Sequence, residues 1–340
     1  MVSTITDVLE AALENLKIPS QGISLVKLHG DASYRVYYRL LLPSGKSFIV
    51  MQLPAGKTSA SEEITNLREK PAEIPFVNVD HFLKARGLPV PNIFFADEPS
   101  GILLLEDFGD ETLEKRVAEA GEDVRRIWYR KAIDLLKSFQ QKTSQPDPSC
   151  IAYRRSFDSH LLSWEFDHFL EYGIEARLGI KIPSDDAKAI RSLTERITGA
   201  LTRMPQQLVH RDFQSRNLMI QEEGLKLLDF QDALMGPRPY DLAALLRDSY
   251  VPLSPALFSE LIGYYSGEPS FRNELDLVTI QRKLKDAGRF VYIDQVKGNS
   301  SFLKHIPNSL RYAREAIERQ ASQKELFGLL KKYVPEWRDA

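Results

Sequence analysis

The run Leu208-Val209-His210-Arg211-Asp212-Phe213-Gln214-Ser215-Arg216-Asn217, with Leu227-Leu228-Asp229-Phe230-Gln231 shortly after it, constrains this chain more than any other feature. An Asp on a loop, an Asn five residues later and a second Asp at a strand end are the three groups that phosphoryl transfer needs. In that chemistry Asp212 orients and deprotonates the attacking hydroxyl, while Asn217 and Asp229 hold magnesium against the nucleotide phosphates. Spacing, residue type and strand context must all agree, which makes the pattern far more specific than a lone glycine-rich loop. His210 is expected to brace the loop as a buried ring rather than to exchange protons. Asp241 is compatible with a helix N-cap or with a brace for the loop, and Asp232 with either the metal shell or a solvated surface.

The elements around this motif divide the chain into a β-rich beginning and an α-rich remainder. Apolar spacing predicts a leading helix over Thr6–Leu16, then strands over 22–28, 34–41 and 47–51. A helix is expected from Phe76 to Arg86, stopped by Gly87-Leu88-Pro89, with strands over 93–96 and 102–105. From about Glu111 onward the pattern is helical, interrupted by the strand and loop at 208–231. The 340 residues, 43% of them hydrophobic, suffice for two lobes with ample core.

Charge and composition exclude several classes. A formal charge of −2 argues against a general nucleic-acid binder. One cysteine cannot build a disulfide framework, which points to a reducing compartment. The first residues carry no basic stretch followed by an apolar core, and no apolar run approaches the ~18–20 residues of a membrane span. A soluble cytoplasmic protein is therefore expected.

Between two of the expected strands, Gly30-Asp31-Ala32-Ser33 offers small residues whose backbone amides can approach phosphates. Leu103-Leu104-Leu105-Glu106-Asp107-Phe108-Gly109 occupies the position of a hinge, where backbone groups near Glu106 and Asp107 would meet an adenine edge; Asp107 is equally compatible with a helix cap. Between Asp107 and His210 lies a long, mostly helical insertion with room for a substrate-binding subdomain. Tyr240-Asp241-Leu242 follows Asp229 with no long activation segment between them, which favours a small-molecule hydroxyl over a protein as acceptor.

These residues resemble the aminoglycoside phosphotransferase and choline kinase superfamily. Within it, Gly30-Asp31-Ala32-Ser33, Asp229-Phe230-Gln231-Asp232-Ala233, Leu245-Leu246-Arg247-Asp248 and Gln281-Arg282-Lys283-Leu284-Lys285 resemble the bacterial anomeric amino-sugar kinases, which phosphorylate N-acetylmuramate and N-acetylglucosamine at C1 in cell-wall recycling. The resemblance runs from about Gly30 to the helix near Arg311. It implies an α+β, protein-kinase-like, two-lobed fold with an N-terminal lobe over 1–107 and a catalytic and substrate-binding lobe over 108–340. It further implies ATP and Mg2+ as cofactors, a small amino sugar as acceptor and a monomer.

One departure from the kinase template is plain. The third small-lobe strand, Phe48-Ile49-Val50-Met51-Gln52, has no lysine for the α- and β-phosphates. Arg35, Lys46 and Lys57 are candidates for the missing cation, and each is also an ordinary surface charge. From Phe271 to Ala340 there are 14 Lys and Arg against 9 Asp and Glu, and Arg282, Lys285 and Arg289 share one helical face. That face is expected to be solvated or to form an electropositive wall for phosphates or an anionic sugar substituent. Asp158, His160, Glu165, Asp167 and His168 match no metal-ligand spacing and read as a polar helix face. A kinase for another acceptor (an aminoglycoside, choline or a different hexosamine) and a nucleotide-binding pseudokinase regulator are the alternatives.

Overall fold

The computed structural model describes residues 5–28, 35–53, 73–222 and 224–338. Its first part is a five-stranded antiparallel sheet in the order β1-β2-β3-β5-β4, from Ser24–Lys27, Val36–Leu41, Ser47–Gln52, Ile93–Asp97 and Ile102–Glu106 as β1 to β5. Period-two alternation gives this sheet two apolar faces. Leu40, Phe48, Val50, Ile102 and Leu104 lie on one face beneath helix α1 (Ile5–Asn15), which buries Val8, Leu9, Ala12 and Leu13 against them. Burying Leu9 and Leu13 contributes about 1.5–3 kcal/mol each to holding α1 down. Tyr37, Ile49, Met51, Leu103 and Leu105 turn to the other face, toward helix α2 (Pro75–Ala85) and the core of the larger part.

The larger part is mainly helical. Helices α3 (Leu113–Ala118), α4 (Glu122–Lys142), α5 (Ser159–His168), α6 (Ser184–Arg203), α7 (Tyr240–Leu246), α8 (Pro255–Tyr265), α9 (Phe271–Lys297), α10 (Ile306–Arg319) and α11 (Lys324–Leu330) enclose two short β-ladders. In one ladder β6 (Gln206–Val209) pairs with β9 (Leu234–Pro237); in the other β7 (Leu218–Gln221) pairs with β8 (Gly224–Leu227). Starts are set by side-chain caps: Thr112 accepts from the Lys115 amide, Asp158 from Leu161 and Ser254 from Leu257. No described helix is long and apolar enough to cross a membrane.

Helix α9 is the axis of this part. Its 27 residues are buried on nearly every side, polar ones included, and it ends at Gly298 in the left-handed conformation that glycine adopts without strain. It runs against a π-helical turn at Phe169–Ala176 that continues α5. Gly288 makes that approach possible, since a Cβ there would stand 2.9 Å from the Phe169 Cα and 3.0 Å from the His168 carbonyl oxygen.

The expected helices and small-lobe strands are present within one or two residues of their predicted bounds, with the first strand shortened to 24–27. The β7–β8 hairpin and β9 were not anticipated. These four-residue strands, two inside the motif and one just after it, are too short to show a period of their own.

Candidate active site

Strand β6 delivers the loop His210-Arg211-Asp212 to the floor of a cleft facing the small sheet. The loop is held from three sides. Asp241, fully buried at the start of α7, accepts the His210 amide at 2.7 Å and the Arg211 amide at 3.0 Å. Arg282 of α9, also fully buried, donates to the Arg211 carbonyl oxygen at 2.6 Å. The Arg211 guanidinium meets Glu165 of α5 at 3.2 Å, and the Gln281 amide holds the other Glu165 oxygen at 2.6 Å. These bonds stabilise Arg211 at φ 75°, a conformation that non-glycine residues rarely adopt. Burial pushes the His210 imidazole down to about 4, so it is neutral and lies edge-on to Phe139 and Phe213.

Asp212 reaches the cleft with its side chain one-third exposed and its Oδ1 3.3 Å from Arg282 Nη2. Burial alone would raise this carboxyl, but Arg282, Lys285 and Arg211 hold it below its ordinary value. It is therefore ionised at neutral pH. Asn217 donates its amide to the Asp212 carbonyl oxygen at 2.9 Å, which fixes the side chain and leaves Oδ1 as its available acceptor. Behind it, Asp248 accepts the Ser215 amide and hydroxyl at 2.9 and 2.5 Å.

The β7–β8 hairpin carries the chain to Asp229, at φ 63°. Gln231 donates to Asp229 Oδ1 at 2.9 Å and to Asp232 Oδ2 at 2.8 Å, tying the two carboxylates together. Burial at the cleft floor, with Asp212 and Asp232 nearby, pushes the Asp229 carboxyl up to about 6, against the opposing pull of Arg35. Phe230 stacks on Phe76 of α2, with ring centroids 4.9 Å apart, so the motif is packed against the small part. Asn217 Oδ1 and an Asp229 carboxylate are a hard-oxygen pair that suits magnesium shared with phosphates. Among the described residues no group of three or more His, Cys, Asp or Glu could form an all-protein metal cage.

Gly30, Asp31, Ala32, Ser33 and Lys57 lie outside the described residues. Glu106 and Asp107 stand at the end of β5, but their carboxylates are committed elsewhere. Glu106 accepts the backbone and side-chain amides of Asn92. Asp107 accepts Arg39 at 2.6 Å, Ser47 at 2.7 Å and the Gly109 amide at 2.8 Å. Asp107 thus clips the junction together instead of capping the next helix, whose cap is Thr112.

Two further expectations are corrected. Glu165 and His168 do not belong to a polar surface. Both are buried, and His168 lies among the rings of Trp164, Tyr172 and Tyr292. Arg282 does not form an exposed electropositive wall, because its guanidinium is fully buried, with Nη1 on the Arg211 carbonyl and Nη2 beside Asp212, and lies over Tyr240. Lys285 is 15% exposed and paired with Asp286 at 3.1 Å. The sequence did carry a signal for Arg282: apolar and charged residues are mixed around the whole of α9, which excludes a one-sided solvated helix.

The chain has relatives among known proteins. Residues 24–275 match the model of the phosphotransferase enzyme family. A protein of Pseudomonas putida named N-acetylmuramate/N-acetylglucosamine kinase is 30% identical, over 90% of this chain and 87% of its own. The choline kinase LicA from Streptococcus pneumoniae superposes with a TM-score of 0.63 at 17% identity, over 92% of this chain and 98% of that one. The ADP-bound aminoglycoside phosphotransferase APH(2'')-Ib gives 0.61 at 14%, over 92% and 99%. These two share the protein-kinase-like fold. On the family match and on the relative aligned along nearly its whole length, the chain belongs to the phosphotransferase enzyme family.

Proposed function

We propose that this chain transfers the γ-phosphoryl group of ATP to the anomeric C1 hydroxyl of N-acetylmuramate and N-acetylglucosamine, a cytoplasmic step in peptidoglycan recycling, acting as a monomer on a free small-molecule sugar. Relatives carrying that double name at 27–30% identity support the acceptor. The observation that carries the chemistry is the Asp212 carboxylate, one-third exposed, held below its ordinary pKa beside Arg282, with its carbonyl fixed by Asn217.

In this reading the N-terminal lobe over 1–107 clamps the nucleotide. Gly30, Asp31, Ala32 and Ser33 would lie over the phosphates, and the backbone at Glu106 and Asp107 would meet the adenine. The lobe over 108–340 supplies the base and the sugar site. Asp212 aligns the C1 hydroxyl for in-line attack and takes its proton late, as the O–P bond forms and ADP leaves. An anomeric hydroxyl is more acidic than an ordinary alcohol, so a carboxylate held below its usual pKa still suffices as acceptor. Asn217 and Asp229 would hold magnesium, which when bound neutralises charge on the transferring phosphoryl group. The protein's own contribution is then mainly positioning, by the clamp of Asp241, Arg282 and Glu165 on the loop.

The test is a panel of amino sugars, aminoglycosides and choline with ATP and magnesium, with products located by phosphorus NMR. A sugar 1-phosphate from both N-acetylmuramate and N-acetylglucosamine is expected. Phosphorylation of an aminoglycoside or choline alone would move the acceptor elsewhere, and no sugar-stimulated ATP consumption would favour a pseudokinase.

A further inference from the structure

The third strand lacks the lysine that kinases aim at the nucleotide phosphates, and the described part of the molecule shows what stands near its position. On the cleft face of the small sheet Tyr37 of β2 lies opposite Met51 of β3. Arg35 precedes Tyr37 by two residues and so shares that face. Its guanidinium crosses the cleft to the opposite floor, with Nη1 3.5 Å from Asp229 Oδ1 and Nη2 3.7 Å from Asp232 Oδ2. Its side chain is only 11% exposed, and its guanidinium donates to the Tyr37 hydroxyl oxygen on the sheet.

Other described cations of the small sheet and its helices are turned elsewhere. Arg39 is held by Asp107, Asp110 and the Gly109 carbonyl. Lys46 lies over the rings of Phe48 and Phe94, and Phe48 faces α1 rather than the cleft. Lys27 pairs with Tyr38, also on the α1 side. Lys84 donates to the Val90 carbonyl, and Arg86 pairs with Asp147 over the Phe82 ring.

We infer that, given the nucleotide site proposed above, Arg35 is the phosphate-binding cation of this chain, supplied from the residue just before β2 in place of a lysine on β3. At 3.5 and 3.7 Å the contacts to Asp229 and Asp232 are charge pairs rather than short bidentate hydrogen bonds, so they are exchangeable for a better anion. A phosphate sharing a divalent cation with Asp229 is that anion. It brings more negative charge than a carboxylate and matches the planar guanidinium fork. The pairing with Asp229 keeps Arg35 aimed at the cleft floor, close to where the phosphates arrive, while Asp232 competes with them for the same guanidinium.

The test is nucleotide titration by calorimetry with magnesium, using ATP, ADP and AMP against the full chain. Arg35→Ala should weaken ATP and ADP by about 10- to 100-fold, the range of a charge-assisted hydrogen bond, while AMP changes by less than about threefold. Arg35→Lys should recover part of the ATP affinity. Asp232→Asn should leave ATP binding unchanged or tighter, because it removes the competing carboxylate. AMP binding also reports that each variant keeps a folded adenine site. Equal losses for ATP and AMP, or an Asp232→Asn variant that reproduces Arg35→Ala, would show Arg35 to be a structural strut and overturn the assignment. Unchanged ATP binding by Arg35→Ala overturns it as well. Failure of the wild-type chain to bind ATP overturns the nucleotide reading itself, which is a different result from any of these.

Discussion

Replacing Arg282 with Met removes the cation that fixes both the carbonyl of Arg211 and the carboxylate of Asp212, while roughly keeping side-chain volume. At the 3.3 Å separation of Arg282 Nη2 and Asp212 Oδ1, the Coulomb attraction is about 5 kcal/mol for an effective dielectric of about 20, before desolvation is subtracted. Carboxylates beside an arginine are commonly depressed by ~1–3 pKa units. The sign follows directly: loss of the cation disfavours the ionised form, so the Asp212 pKa rises and the acid limb of the kcat profile moves to higher pH by about 1 unit or more. The freed loop also lets Asp212 drift, and a misplacement of about 1 Å can lower kcat some 10²-fold. Arg282→Lys keeps a charge but cannot span both acceptors, so it should retain much of the pH limb and still lose kcat. Both profiles are read from about pH 3 to 9 at magnesium and nucleotide concentrations that stay saturating across the range, so that the Asp229 ligand does not set the limb, alongside the thermal midpoint of each variant. An Arg282→Met enzyme whose acid limb coincides with wild type, at whatever kcat, would refute the claim that Arg282 holds Asp212 ionised.

Four further outcomes are expected. Asp229→Ala should abolish the tightening of nucleotide binding by magnesium, and a full magnesium effect in that variant would remove Asp229 as the ligand. Because the Asp229 carboxyl sits at about 6 and only its ionised form can ligate, apparent magnesium affinity should fall as pH drops through 6, beyond the change measured for nucleotide and magnesium without protein; a flat profile contradicts it. Asp241→Asn turns an amide nitrogen toward one of the two backbone donors it now accepts, and should destabilise the chain by about 2–3 kcal/mol in urea unfolding; an unshifted transition would contradict the clamp. Gly288→Ala forces a Cβ against Phe169 and should destabilise by about 1–3 kcal/mol, whereas a neutral result would mean that α9 and the π-helical turn can separate without penalty.

The legibility of this chain follows the length scale of each pattern. Helical spacing over ten or more residues made α1 and α2 readable, because their apolar faces are one-sided, and short β-rich runs bounded by turn residues made the small-sheet strands readable. The β7–β8 hairpin and β9 were hidden, since four residues inside or just after a loop motif are too few for periodicity to register. Asp212, Asn217 and Asp229 could be named because their spacing is fixed by the chemistry they share. What surrounds them could not. Asp241, Asp248 and Glu165 lie 30 to 46 residues from the loop positions they hold, and Arg282 lies 70 residues from Asp212, so only the folded chain brings them together. The spacing of Arg282, Lys285 and Arg289 was visible in the sequence, but spacing says which residues share a face and not whether that face meets water. For Arg282 it meets the catalytic loop.

The central claim is that Asp212 is the base of a phosphoryl transfer, and the most direct measurement is turnover of Asp212→Asn with nucleotide affinity determined in parallel. The substitution preserves size and most hydrogen bonding while removing the proton acceptor. Turnover should fall by about 10²–10⁴-fold with ATP binding nearly unchanged. A variant that turns over within a few-fold of wild type would contradict the account.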